Sequence, residues 1–242
     1  MKYDLIIFDM DGTILNTLED LKNSLNYVLQ QAGYQTRTLE EVRTFVGNGI
    51  RKTIERALPS DIEEEKVDEL FSLFMDYYAI HNTDNTKPYN GVIELLKELK
   101  HLGYKTAVVS NKQNSAVKSL CKKFFTGLFD VEIGEKVNIA KKPEPDEVNE
   151  VLKILNIDRT KSIYIGDSEV DIQTAQNSKM KSIIVDWGFR DRKFLYEPLK
   201  FCAFCILVQV YVSIYCTDFP LSVSLMSLSF VTTYRSNQIK LR

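Results

Sequence analysis

The chain has 242 residues, 44% of them hydrophobic, enough for one sizeable core or for a core carrying a smaller insert. With 31 basic and 33 acidic residues the net charge is −2, which argues against a broad electropositive surface for nucleic acid and leaves small polar or anionic ligands as partners. Asp4 and Asp9 interrupt the N-terminal MKYDLIIF before any apolar run long enough for a secretory signal, and the four cysteines suggest no disulfide framework, so a cytoplasmic protein is expected.

Tyr3 to Phe8 is rich in Ile and Phe, as a central strand covered on both faces should be, and a loop is predicted from Asp9 to Asn16. Thr17 with Asp20 three positions later resembles a capping box, after which Leu21, Leu25, Val28, Leu29 and Ala32 follow at helical spacing until Gly33. From Leu39 to about Tyr78 the pattern stays helical, interrupted at VGNGI and LPSDIEEE. After HNTDNTKPYNG, the stripe Val92, Leu95, Leu96, Leu99 and Leu102 predicts another helix ended by Gly103, and KTAVVSN then reads as a buried strand.

Further strands are predicted at DVEIG, SIYIGD and KSIIVD, with helices at 114–124, 146–155 and 170–178. This alternation predicts an α/β fold: a parallel, Rossmann-like core sheet with helices on both faces, and a small all-helical cap inserted after the first strand. The expected division is a core of 1–16 and 87–196, a cap of 17–86, and an atypical apolar tail of 197–242.

Ligands of open α/β sheets collect beyond the carboxyl ends of the strands. Four groups of candidates fall there: Asp9 and Asp11 after the first strand, Ser110 and Asn111 after TAVVSN, Lys142 in KKPEP, and Asp167 and Asp171 in GDSEVD. In extended backbone Asp9 and Asp11 share a side, and Gly12 permits a sharp turn after them. Two carboxylates about 4 Å apart repel by roughly 4 kcal/mol at an effective dielectric of 20, so a positive group or a retained proton has to accompany them. With no His or Cys nearby, an all-oxygen site favours a hard cation, and Mg²⁺ suits it. A calcium loop fails on spacing, because Ile14 stands where an EF-hand loop needs glycine.

DMDGT, VSNK, KKPEP and GDSEVD, in this order, resemble the haloacid dehalogenase-like superfamily of phosphatases over residues 1 to about 196. Within it, VGNGI in a helical cap and SNK after the second core strand look most like the phosphoglycolate phosphatases. The resemblance implies that Asp9 attacks phosphorus and becomes an aspartyl phosphate, while Asp11 protonates the leaving alkoxide and later activates water. It implies Mg²⁺ held by the Asp9 carboxylate, the Asp11 carbonyl and Asp167, with Asp171 auxiliary, and phosphoryl oxygens bound by Ser110, Asn111 and Lys142. Lys142 is preferred to its neighbour Lys141 because the family's lysine directly precedes the proline. Crowding by Asp9 is expected to raise the pKa of Asp11.

In the cap, Arg43, Gly47, Asn48 and Gly49 are candidates to meet a small phosphorylated metabolite, with Arg51 and Lys52 beside them; a solvated helix surface is the competing reading for the charged ones. A pyrophosphatase of the same family would share every core residue, and a catalytically silent Mg²⁺-binding or partner-binding protein would keep the fold without turnover. A sugar-phosphate mutase is disfavoured, since the histidine such mutases carry in the first cap helix corresponds to Leu21.

Beyond about Tyr196 the resemblance fails, and FCAFCILVQVYVSIYC and PLSVSLMSLSFV are almost uncharged. The first run is too short for a membrane helix of about 20 residues and its β-branched content favours strand, so a strand is preferred to the alternative of a tail anchor in a membrane. Cys202 and Cys205, without a second pair or a nearby His, read as apolar packing. The tail reads as a replaced segment whose removal should leave activity measurable.

Overall fold

A computed structural model of the chain describes residues 3–47, 49–195 and 205–208, the last four as backbone. Alternation along the first strand, β1 (Leu5–Phe8), sets the layers. Ile6 and Phe8 point to one face, where Leu96 and Leu99 of helix α5 (Val92–His101) and Leu120 of α6 (Asn114–Phe124) cover them. Leu5 and Ile7 point to the other, against Val148 and Val151 of α7 (Asp146–Leu155) and Ala175 of α8 (Glu169–Asn177). A strand buried on both faces has no solvent side, which is why its sequence is a continuous apolar run.

β1 pairs in parallel with β4 (Lys105–Gln113) on one side and β6 (Ser162–Gly166) on the other; β5 (Val131–Glu135) extends the sheet beyond β4, and β7 (Lys181–Val185) and β8 (Cys205–Val208) extend it beyond β6. The order β5-β4-β1-β6-β7-β8 makes the chain leave β1 in opposite directions, so a crevice opens at the carboxyl end of β1. This is the predicted parallel α/β sheet with helices on both faces. The strand expected for part of the apolar tail is present at β8; the rest of 197–242, Cys202 included, lies outside the described residues. Among the described residues no helix is long and apolar enough to cross a membrane.

Four helices follow β1: α1 (Leu18–Gln31), α2 (Leu39–Phe45), α3 (Ile50–Ala57) and α4 (Glu64–His81). Leu21, Leu25, Val42, Ile54, Leu70 and Phe74 give them an apolar cluster of their own, which also takes in Phe189 from the loop after β7. A two-residue antiparallel ladder, β2 (Leu15–Asn16) with β3 (Lys87–Pro88), ties the two chain segments at the base of this insert. Its arms are too short to show alternation, and the sequence reads them as loop.

The capping box expected at Thr17 and Asp20 does not form. Thr17 makes no cap hydrogen bond; its hydroxyl donates instead to Asp11 Oδ1 at 2.8 Å. Asp20 accepts from the backbone N–H of Asn85 and of Thr86 (2.8 Å), fixing the return of the chain from the insert beside its departure. Tertiary partners outbid the local pattern. The motif forms at Thr38 with Glu41 and at Ser168 with Asp171.

Candidate active site

Asp9 leaves the end of β1, and within two residues the chain must turn back. Gly12 makes that turn at φ +86°, and a Cβ on it would lie 2.3 Å from Asp167 Oδ2, so glycine is needed both for the conformation and for the approach of the β6 loop. Asp9, Asp11, Ser110, Asn111, Lys142 and Asp167 come from the last residues of β4 and from the loops after β1, β5 and β6, and line one cavity of about 500 Å³. Gly47 and Gly49 line it from the helical insert.

Lys142, buried, donates to Asp9 Oδ1 at 2.7 Å, to Asp171 Oδ1 at 2.8 Å and to Tyr164 Oη at 3.2 Å. The exposed Lys141 pairs with Glu135 at 3.2 Å, so of the two lysines Lys142 is the one that reaches the acid pair. Asp9 Oδ2 accepts from no protein group among the described residues and remains open to the cavity. Asp167 accepts from the Thr13 hydroxyl at 3.2 Å and from the Phe189 N–H at 2.7 Å.

Asp171 stands behind the cavity, fully buried. Its Oδ1 accepts from Lys142 and Tyr164, and its Oδ2 from the N–H groups of Asp167 and Ser168 and from the Ser168 hydroxyl at 2.6 Å. Both oxygens are satisfied by protein, which suits it to orienting Lys142 and the Asp167 loop rather than to meeting a ligand. Asn111 lines the cavity, its amide nitrogen donating to the Lys142 carbonyl at 2.9 Å.

The titration behaviour follows from this crowding. Burial, then repulsion from Asp171, holds the Asp9 pKa well above the ordinary carboxylate value, against the attraction of Lys142. Burial and Asp171 push Asp167 to about 7, with the Phe189 N–H opposing. For Asp171 burial pulls the same way, but Lys142, Ser168 and Tyr164 outweigh it and leave the pKa low. For Lys142 burial favours the neutral amine, and Asp171 with Asp9 overcomes that and raises the pKa. Asp11 is less enclosed and faces a lysine.

That lysine is Lys112. Its ammonium lies 3.1 Å from Asp11 Oδ2 and 2.8 Å from the hydroxyl of Tyr78 on α4. Sequence reading singled out neither Lys112 nor Tyr78; the only signal was the place of Lys112 in VSNK. Arg190 is a further unforeseen residue, donating to both carboxylate oxygens of Glu169 (2.8 and 3.1 Å) and to the carbonyls of Arg43 and Val46 (3.2 and 2.6 Å), which fastens the insert to the start of α8.

Of the cap candidates, Arg43 is not brought into the cavity: its guanidinium pairs with Asp191 at 2.9 Å. Arg51 borders the cavity but pairs with Glu55, Glu64 and Asp68, and Lys52 pairs with Glu55. Asn48 lies outside the described residues.

With every group ionised, Asp9, Asp11, Asp167 and Asp171 face Lys112 and Lys142, a surplus of two negative charges. Oxygens of Asp9, Asp167 and Asp171 lie within 4.8 Å of one another. The hard donor set and the charge surplus together fit a divalent cation.

A family model described as haloacid dehalogenase-like hydrolase matches residues 6–185. A phosphoglycolate phosphatase of Mesorhizobium japonicum is 32% identical over 82% of this chain and 89% of its own length. One of Psychrobacter arcticus is 32% identical over 89% of this chain and 98% of its own. A solved structure from Lactobacillus delbrueckii subsp. bulgaricus, named as a candidate phosphoglycolate phosphatase, superposes with a TM-score of 0.82 at 40% identity, covering 87% of this chain and 95% of that one.

Proposed function

The chain belongs to the haloacid dehalogenase-like hydrolase family and is a phosphoric monoester hydrolase, and we propose that it acts with Mg²⁺ on small phosphomonoesters, phosphoglycolate foremost, through an aspartyl phosphate at Asp9. The observation that carries the proposal is the state of Asp9: one carboxylate oxygen held by Lys142 at 2.7 Å, the other open to the cavity.

In this reading Asp9 Oδ2 attacks phosphorus while the ester oxygen departs on the opposite side, taking a proton from Asp11. A phosphoryl–oxygen bond forms to Asp9 as the bond to the alcohol breaks. Water then attacks the phosphoryl-enzyme, Asp11 accepts its proton, and Asp9 is released with inorganic phosphate. Thr17 and Lys112 hold Asp11 at 2.8 and 3.1 Å and orient it for both transfers. Lys142 and Ser110 bind equatorial phosphoryl oxygens, where charge spreads in the transition state. Asp9, Asp167 and the Asp11 carbonyl would hold Mg²⁺, which when bound supplies charge neutralisation between the acids and the phosphoryl group.

The test is a panel of phosphoglycolate, other small phosphate esters and pyrophosphate, each assayed with Mg²⁺ and with EDTA. Mg²⁺-dependent release of phosphate from phosphoglycolate ahead of the other compounds is expected. Preference for pyrophosphate would replace the substrate assignment, and turnover unaffected by EDTA would refute the metal assignment.

A further inference from the structure

Resting on the phosphatase reading above, we infer that Lys112 is the specificity residue of this cavity, binding a carboxylate carried by the substrate one or two carbons from the ester oxygen. The inference begins in the backbone. β4 pairs with β5 at Ser110–Gly134 and again at Gln113–Glu135, so Asn111 and Lys112 are extra residues on the β4 side. Such a bulge re-aims side chains, and here it turns Lys112 into the cavity. The bulge closes tightly on its partner strand: a Cβ on Gly134 would lie 2.5 Å from the Lys112 carbonyl oxygen.

An ammonium has three donors. Two are used by Asp11 and Tyr78, and among the described residues nothing accepts the third. The other cations around the cavity are committed: Lys142 to the phosphoryl end of the site beside Asp9, Asp171 and Tyr164, Arg190 to Glu169 and two carbonyls, Arg51 to three acids. Lys141 sits at the exposed rim with Glu135. The facing wall is apolar, built from Leu21, Val46, Ile50, Phe71 and Met75. An anionic group brought in beside the ester therefore meets one buried cation with a donor to give.

The position of that cation sets the chain length. Asp11 is to hydrogen-bond the leaving oxygen at about 2.8 Å, and Lys112 Nζ is 3.1 Å from Asp11. Two such links place Lys112 within about 6 Å of the leaving oxygen. A carboxylate on a two-carbon ester spans that gap, and a neutral alkyl group of equal length leaves the donor unmet.

The experiment compares kcat/KM for 2-phosphoglycolate and ethyl phosphate in the Mg²⁺-loaded full-length protein, its Lys112→Met and Lys112→Arg variants, and Lys141→Met. The wild-type protein should favour the carboxylate ester by roughly tenfold to hundredfold, the value of one charge-assisted hydrogen bond. Lys112→Met should bring that ratio within about threefold of unity, with a fall in kcat common to both esters from the lost hold on Asp11 and a rise in KM confined to phosphoglycolate, while Lys112→Arg keeps part of the preference. Lys141→Met should retain it. An absent preference in the wild-type protein, its survival in Lys112→Met, or its loss in Lys141→Met would overturn the assignment while leaving the phosphatase reading in place. No turnover of any phosphomonoester would overturn both.

Discussion

Glu147 lies in the first turn of α7, directly after the loop that carries Lys142, and it is fully buried with neither carboxylate oxygen hydrogen-bonded. Burial raises its pKa from 4.5 to about 7; Lys142 and Lys136 favour the ionised form, and Glu135 and Glu150 oppose it. Because the folded protein holds this proton more tightly than the unfolded chain, Glu147 costs nothing below the unfolded value. Its penalty grows as pH rises through the interval to about 7 and is complete above it. A shift of that size, at about 1.4 kcal/mol per pKa unit, is worth about 3 kcal/mol. Glu147→Gln removes the titration while keeping the shape. Urea unfolding followed by the fluorescence of the single tryptophan, Trp187, should show the variant gaining roughly 2 to 3 kcal/mol over the wild-type protein between pH 5 and pH 8. A difference between the two proteins that is the same at both pH values within about 0.5 kcal/mol would refute the reasoning.

Asp171→Asn removes the main charge holding Lys142, and should cost about 3–5 kcal/mol in stability together with most of the activity; urea unfolding that matches the wild-type curve would contradict the role given to it. Arg190→Met leaves Glu169 and two backbone carbonyls without their donor, so the insert should bind less firmly and KM for phosphoglycolate should rise more than kcat falls; steady-state kinetics with both parameters unmoved would show that the fastening is not needed. Deletion of 199–242 removes β8 and exposes the edge of β7, yet touches no residue placed at the site. Activity should stay measurable in the soluble fraction, and its complete loss would make the tail structural.

The sheet was legible because buried parallel strands are apolar runs and the helices between them carry a 3.6-residue stripe; these signals are local. The acids were legible because three of the four site loops begin where such a run ends in Asp, Ser or Asn. Choosing Lys142 over Lys141 needed the resemblance, since both are lysines in the same loop and only the fold turns one inward. Lys112, Tyr78, Thr17 and Arg190 were not legible. Lys112 depends on a bulge, which leaves no mark in hydrophobic periodicity, and Thr17 with Asp20 fits a capping box so well that their real partners, Asp11 and residues 85–86, were hidden. Arg43 shows the converse error: it stands beside VGNG in sequence, yet Asp191 draws its side chain away from the cavity. Long-range pairing decides these cases, and no short window of sequence contains it.

The central claim is a covalent phosphoryl group on Asp9, and rapid acid quench during phosphoglycolate turnover followed by peptide mass spectrometry examines it directly. A phosphoryl adduct on the peptide containing Asp9, formed at a rate no slower than turnover and missing from a folded Asp9→Asn variant that has lost activity, is the predicted result. Undiminished turnover in Asp9→Asn, with no adduct on any aspartate, would contradict the account.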